Sequence, residues 1–525
     1  MWSLNGQKII KLEKYSEEKN MKVFPCGKET DYEDKKNRGI ISTVILGNRF
    51  KADQTLYEYL IEFLLVFVSA KNPDFVQGKM KFHDTLIEKE FSYYVEPRMA
   101  LRRFVFYDKA RKKGTIKEDE KAYQKLLNIL TAKMEMDEEK KKECLESIQD
   151  LFHGYAVVIK NRFWGAQALL PICPEFICCG CDPSQKQRKS GVNWEDNPIS
   201  VDTQFEFTKR NMLARGGEVY YLHILQGLEG HNEQKKKLEY LLNNLVGEQC
   251  EKISYMARFI QESWEEAMEA EPEEMHQEMK LSFIPANAYK DCEEHSIEEL
   301  ISFLSNNLQP IEKIEILAKG VMYQIMRMMT CGIANYLGIK KKAWIIDMRG
   351  KSKDSVKKIA ATAYKNLESD FMIAINKKAK ELHITEEKLM KDITDAKKNS
   401  LNIFKAKGKE MQCIIPSKGP FERFSLSEDI IRFLVLALIP PEEKITLHMF
   451  LNKLYEHYGI VIGPNEYRRS LEEEQEFDES LTSIFIDNEI ALQGFLKETG
   501  FLRELSDATS IVVNPYQCVR KEDEE

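Results

Sequence analysis

The chain has 525 residues, of which 43% are hydrophobic, 10% aromatic and 31% charged, with a net charge of −8. Those values exclude a largely disordered chain and fit about two to four globular domains. The mild acidity singles out no partner, and the strongest apolar run, Leu60–Val68 with Glu62 inside it, is too short to span a bilayer.

Met1-Trp2-Ser3-Leu4 leads into a Lys/Glu-rich segment, so no secretory signal is expected. The 11 cysteines are an odd number and mostly scattered singly. That pattern fits a reduced interior better than a disulfide scaffold, and a cytoplasmic location is expected.

In chain order, residues 1–50 are polar with two β-like stretches, Gln7–Leu12 and Ile40–Leu46. The spacing from about Asp53 predicts a buried helix with Tyr57, Leu60, Ile61, Leu64 and Leu65 inward. Thr115–Ala132, Asp137–Phe152, His231–Val246 and Gln249–Ala270 read as further helices, the last ended by Glu271-Pro272. Arg215-Gly216-Gly217-Glu218 suggests a tight turn. Ser296 and Glu299 have capping-box spacing before Leu300, Ile301 and Leu304. Ile311–Leu337 and Asp354–Leu382 follow as helices, and Thr385 opens another. Tyr155–Ile159 and Ala343–Asp347 read as strands, Cys181–Val201 as a long loop, and Lys405–Phe421 as a linker.

The fold class expected is therefore mainly α and multi-domain, with a few short strands. Its parts are an arm (1–50), a helical domain (51–225), a second helical domain (226–404), a linker (405–421), a C-terminal module (422–517) and an acidic tail (518–525).

In the C-terminal module Ser427 is placed to cap a helix over Ile430–Leu438, which Pro440 and Pro441 end. Thr446 opens a second helix with Leu447, Phe450, Leu451, Leu454 and Tyr458 on one face. A third runs from about Asn488 to Thr499, before Gly500. Phe501–Leu505 and Thr509–Val513 flank a hairpin at Ser506-Asp507. This order resembles a winged-helix domain, a fold that binds nucleic acid or protein. Arg468 and Arg469 are followed by Glu472, Glu473, Glu474, Glu476, Asp478 and Glu479, so the charge favours a protein-binding member.

Basic residues cluster in two other places. Arg98, Arg102, Arg103, Lys109, Arg111, Lys112 and Lys113 interleave with Phe104, Phe106 and Tyr107, a composition suited to phosphate and base contact. Lys340–Glu410 holds 19 Lys/Arg against 10 Asp/Glu, including Lys340, Lys341, Lys342, Arg349 and Lys351. Lysine suits contact with the nucleic-acid backbone rather than base reading, although a solvated lysine face is the simpler explanation. Glu251–Leu300 is the acidic counterpart, with 14 Asp/Glu against 4 Lys/Arg.

Cys173, Cys178, Cys179 and Cys181 supply enough thiolates for a zinc site, but one crowded run lacks the two separated pairs such a site uses. A mixed site would add His153 or His223, and buried apolar thiols are the preferred reading. Gly350-Lys351-Ser352 after a strand is half a phosphate loop, with Ile345 where the first glycine belongs. Asp291-Cys292-Glu293-Glu294-His295 and Glu273-Glu274-Met275-His276 offer ligand types in acidic, solvated surroundings. No complete catalytic motif is present, and no cofactor is expected beyond the zinc just considered.

In its helical bulk, terminal winged helix and lack of an enzyme motif, the chain resembles accessory subunits of bacterial multi-gene systems that act on DNA, phage-defence systems among them. The resemblance implies a non-catalytic subunit that binds nucleic acid through the basic segments and docks an ATPase or nuclease partner through the winged helix, with no membrane contact. An enzyme with a divergent, metal-dependent site and a pure protein-interaction scaffold remain the alternatives.

Overall fold

The computed structural model describes residues 3–4, 7–8, 23–25, 39–47, 50, 54–69, 80–86, 91–96, 98–110, 117–158, 167–179, 216–269, 277–348, 354–382, 384, 386–471, 479–505 and 510–519. Most of them are helical. The elements are β1 (Ser3–Leu4), β2 (Gln7–Lys8), β3 (Val23–Phe24), α1 (Ile40–Leu46), α2 (Leu56–Ser69), β4 (Ser92–Val95), α3 (Met99–Ala110), α4 (Lys117–Ala132), α5 (Glu138–His153), β5 (Ala156–Val158), β6 (Gln167–Leu169) and α6 (Pro174–Cys178). Next come α7 (Gly216–Gly227), α8 (Asn232–Val246), α9 (Glu251–Ala267), β7 (Gln277–Lys280), β8 (Ile284–Pro285), α10 (Glu293–Leu304), α11 (Pro310–Leu337), β9 (Trp344–Ile345), α12 (Asp354–Glu381), α13 (Glu386–Lys398) and α14 (Leu401–Glu410). The chain continues through β10 (Ile414–Ile415), β11 (Arg423–Phe424), α15 (Glu428–Leu438), β12 (Lys444–Thr446), α16 (Leu447–Tyr458), β13 (Ile460–Val461), α17 (Pro464–Ser470), α18 (Thr482–Glu498), β14 (Leu502–Glu504) and β15 (Ser510–Val513).

Two compact units result. The larger comprises 1–52, 222–241 and 283–525, and the smaller 53–221 and 242–282. Neither matches a continuous stretch of sequence, so the division differs from the expected partition at 225 and 404.

The smaller unit is built on α2. Its sequence is apolar nearly throughout, and burial follows on all sides rather than along one stripe; Tyr57, expected inside, is only half-buried. Its two acids are enclosed with partners. Glu58 accepts from the Thr55 amide at 2.6 Å, and Glu62 from the Gly217 amide at 2.7 Å. Gly216 and Gly217 therefore do not make a turn. They begin α7, where a side chain on Gly217 would lie 2.6 Å from the Tyr59 carbonyl oxygen. Helices α3, α4 and α9 pack together, and β4 pairs antiparallel with β7, Ser92 opposite Lys280.

The larger unit is organised around α11, a 28-residue helix. Pro310 suits its first turn, and Gly338 ends it at φ 70°, a left-handed value that glycine adopts without strain. Residues from Lys313 to Ala334 are almost all buried, with α1, α10, α12, α14 and α15 against them. Gly320 permits the approach of α15: a Cβ there would sit 2.1 Å from the Phe433 ring.

Two expectations are overturned here by tertiary packing. Ile40–Leu46 is β-branched yet forms helix α1, because six of its seven residues are buried against the helices of this unit. Ser42 and Thr43 hydroxyls donate to the Gly39 carbonyl at its start. The supposed linker begins inside α14, where Gly408 lies so close to Ile414 that an added Cβ would be 2.3 Å away. Its glycine serves contact, not flexibility.

The C-terminal elements follow the expected order with additions. Thr446 caps α16 by accepting from the Met449 amide at 3.2 Å, and all five residues read as its inner face are buried. Helix α18 starts at Thr482, earlier than expected, and α17 is new. Strands β14 and β15 pair as a hairpin, and β12 adds to them in the order β12-β15-β14. Strand β13 instead pairs in parallel with β9, Val461 opposite Ile345. Buried Asn488 joins these parts, donating to the Ile346 and Ile462 carbonyls and accepting from the Met348 amide.

Gly320→Ala is expected to destabilise the chain by about 2 kcal/mol through overpacking. Phe433→Leu in the same background should recover part of the loss, and thermal unfolding of the three variants measures both effects.

Candidate functional site

Sequence spacing builds the most polar part of the larger unit's core. Ser296 and Glu299 are three residues apart on α10, and Gln324 and Arg327 three apart on α11, so each pair shares a helix face. The last turn of α16 adds His457 and Tyr458. The apparent capping box is not one: α10 begins at Glu293, so Ser296 and Glu299 lie inside the helix, and both are fully buried.

Four donors converge on the Glu299 carboxylate. Arg327 Nη1 donates at 2.5 Å and His457 Nδ1 lies 2.8 Å away on one oxygen. Gln324 Nε2 at 2.7 Å and the Tyr458 hydroxyl at 2.5 Å donate to the other. Burial opposes the charge, but Arg327 and the His457 hydrogen bond outweigh it and hold the carboxyl down at about 2. The guanidinium also donates to the Ser296 hydroxyl at 2.7 Å and the His457 carbonyl at 3.1 Å, and it stacks 4.2 Å over the Tyr458 ring. The Ser296 hydroxyl donates to the Cys292 carbonyl at 2.9 Å, and His223 Nε2 lies 2.8 Å from the same hydroxyl. Burial, then Arg327, lowers His223 to about 3, so the imidazole is neutral.

The network reaches the surface at a pair of histidines. The His295 and His457 rings lie against each other, 4.1 Å between centroids and tilted by 31°. With Glu298 they form a group whose potential ligand atoms all lie within 4.8 Å of one another, the only such group among the described residues. Sequence reasoning noticed His295 but missed Glu298 and His457. A usable signal was the polar pair Gln324 and Arg327 within the mostly apolar stretch Gly320–Ala334 of that helix, which required an equally buried partner.

The sequence-predicted residues fall elsewhere. Arg102 and Arg103 are 7% and 8% exposed. Arg102 donates to the Cys179 carbonyl at 3.1 Å, Arg103 stacks over Trp264, and Arg98 is paired with Glu96 at 3.0 Å. These three guanidiniums are turned inward in the smaller unit and engaged by groups of the chain itself. Arg111, Lys112, Lys113, Arg349 and Lys351 lie outside the described residues. Lys340 is exposed, and Lys341 and Lys342 half-buried, between α11 and β9. Cys173, Cys178 and Cys179 are buried around α6, and Cys181 lies outside the described residues. Burial pushes the Cys178 thiol up to about 12 and raises Cys173 and Cys179 as well, so they pack as small apolar groups.

Exposed lysines collect on α12 and α13. Lys358, Thr362, Lys365, Ser369, Ile373, Asn376 and Lys380 recur at helical spacing on one face of α12, all exposed and none a carboxylate. Lys388, Lys391 and Lys398 are also exposed on one face of α13, with half-buried Asp395 among them.

Comparison with family models, with curated proteins and with solved structures gives no match.

Removing one member of the buried pair strands the other's charge, so Glu299→Leu or Arg327→Met alone should each cost about 3–5 kcal/mol. The double variant should lose much less than the sum, as urea unfolding of the full cycle would show. The carboxyl is held below its ordinary value of 4.5, so its stabilisation is complete above that pH and is lost as pH falls toward about 2. The acid-side decline in unfolding free energy should accordingly be shallower in the double variant.

Proposed function

We propose that this chain binds the nucleic-acid backbone as an accessory subunit of a DNA-directed multi-protein assembly, of the kind found in bacterial phage-defence systems. The observation that carries the reading is the carboxylate-free row of exposed lysines on α12, with the row on α13 beside it in sequence. A phosphate backbone is a line of negative charge, and lysines repeating along one helix face match it without reading sequence. Arg98, Arg102 and Arg103 are occupied inside the fold, so the contact is assigned to these lysines and to Lys340.

The C-terminal elements α15 to β15 are read as a winged-helix domain that docks a protein partner such as an ATPase or nuclease. The order of helices and the three-stranded sheet support this. So does the engagement of the arginines of α17, Arg468 with Glu479 at 3.1 Å and Arg469 with Glu456 at 3.8 Å. Basic residues held by neighbouring carboxylates are poorly placed to meet phosphate.

Electrophoretic shift with generic duplex and single-stranded nucleic acid tests the backbone reading. Lys358→Glu/Lys365→Glu/Lys380→Glu should weaken binding by about tenfold or more at low salt and flatten the salt dependence by about one unit of slope per lost phosphate contact. Reversing Lys140 and Lys142 on α5 should leave affinity within about twofold. Absence of binding at low salt, or an unchanged triple variant, would refute the reading.

A further inference from the structure

His295, Glu298 and His457 meet where two helices present donors of the right kind. His295 and Glu298 sit three residues apart in α10, which puts them on one face and leaves His295 Nδ1 4.0 Å from Glu298 Oε2. His457 arrives from the last turn of α16, with its ring centroid 4.1 Å from that of His295. Two imidazoles and a carboxylate are the ligand set of three-coordinate protein sites that keep one position open, used for zinc and for other divalent first-row ions.

The surroundings prepare these groups for an ion. An ionised Glu299 oxygen 2.8 Å from His457 Nδ1 fixes the proton on that nitrogen and leaves the Nε2 lone pair for a ligand bond. This is the carboxylate–histidine–metal arrangement that orients ligating histidines. His295 Nδ1 is buried at the atom and has no hydrogen-bond partner. The side chain of Glu298 is 48% exposed, which gives an ion a route in and gives the carboxylate room to rotate. Bonds of about 2.0–2.2 Å need ligand atoms roughly 3.3 Å apart, a short closure from the separations present. The charge of Arg327 is balanced by Glu299.

We propose that His295, Glu298 and His457 form a binding site for one divalent transition-metal ion, of the zinc class, with an open coordination position facing solvent. The site is independent of the lysine face and stands or falls separately from nucleic-acid binding.

The test uses the full chain, stripped with chelator and titrated with Zn²⁺ by calorimetry and with Co²⁺ by visible absorption. One ion per chain is expected, with Co²⁺ giving the intense bands of a site with fewer than six ligands. His295→Ala and Glu298→Gln should each weaken Zn²⁺ binding by at least about tenfold, the effect that even outer-shell partners have. Zn²⁺ should raise the melting temperature of the parent chain and not that of either variant. Both substitutions lie at the edge of the network, and melting without metal verifies that they fold. Absence of stoichiometric binding to the folded parent chain, or unchanged affinity in both folded variants, overturns the proposal.

Discussion

The larger unit depends on one buried charge being fully matched. Glu299 has no access to water and carries a negative charge in an apolar interior, which is tolerable only because four donors from two other helices reach it. Arg327 is likewise enclosed, so neither residue is stable there without its partner. The consequence is geometric: α10, α11 and α16 can adopt only the register in which these groups meet. Apolar packing alone would tolerate a slip of one turn, whereas this carboxylate would not.

The sequence made the long helices legible because their periodicity is strong. Helices α5, α8, α11 and α12 lie within a residue or two of their expected limits. The face of α16 was legible for the same reason, as was its threonine cap. What failed was local propensity set against tertiary packing. Ile40–Leu46 has the composition of a strand, and only its enclosure by other helices makes it helical. Glycines were misread in the same way, since Gly216, Gly217 and Gly408 mark close approach of backbones rather than turns or linkers. The ion network was hidden because its members come from separate helices, with Arg327 28 residues from Glu299 and His457 158 residues from it, and each has a bland local explanation. Ser296 and Glu299 imitate a helix cap; His457 looks like a terminal histidine on an amphipathic helix.

Charge shows the same separation between composition and placement. The arginine-rich segment at 98–113 has the composition of a nucleic-acid contact, yet its described arginines serve a carbonyl, a carboxylate and an indole ring inside the smaller unit. The lysine-rich segment looked like ordinary solvated helix, and its spacing leaves one helix face without a single carboxylate. Arginine forms several directional bonds and is readily enclosed, while lysine is strongly hydrated and stays at the surface. Where the charge is exposed follows from that difference more than from how much charge a segment holds.

The parallel pairing of β9 with β13 has a consequence for how the protein is made. Trp344 and Ile345 take their strand partners from Ile460 and Val461, and the larger unit also recruits residues before Ala52. A ribosome adds residues at roughly 5–20 per second, so β9 leaves it on the order of ten seconds before its partner exists. During that interval Trp344, fully buried in the finished fold, lacks its parallel partner strand. The nascent chain therefore carries an apolar segment in waiting until β13 is made.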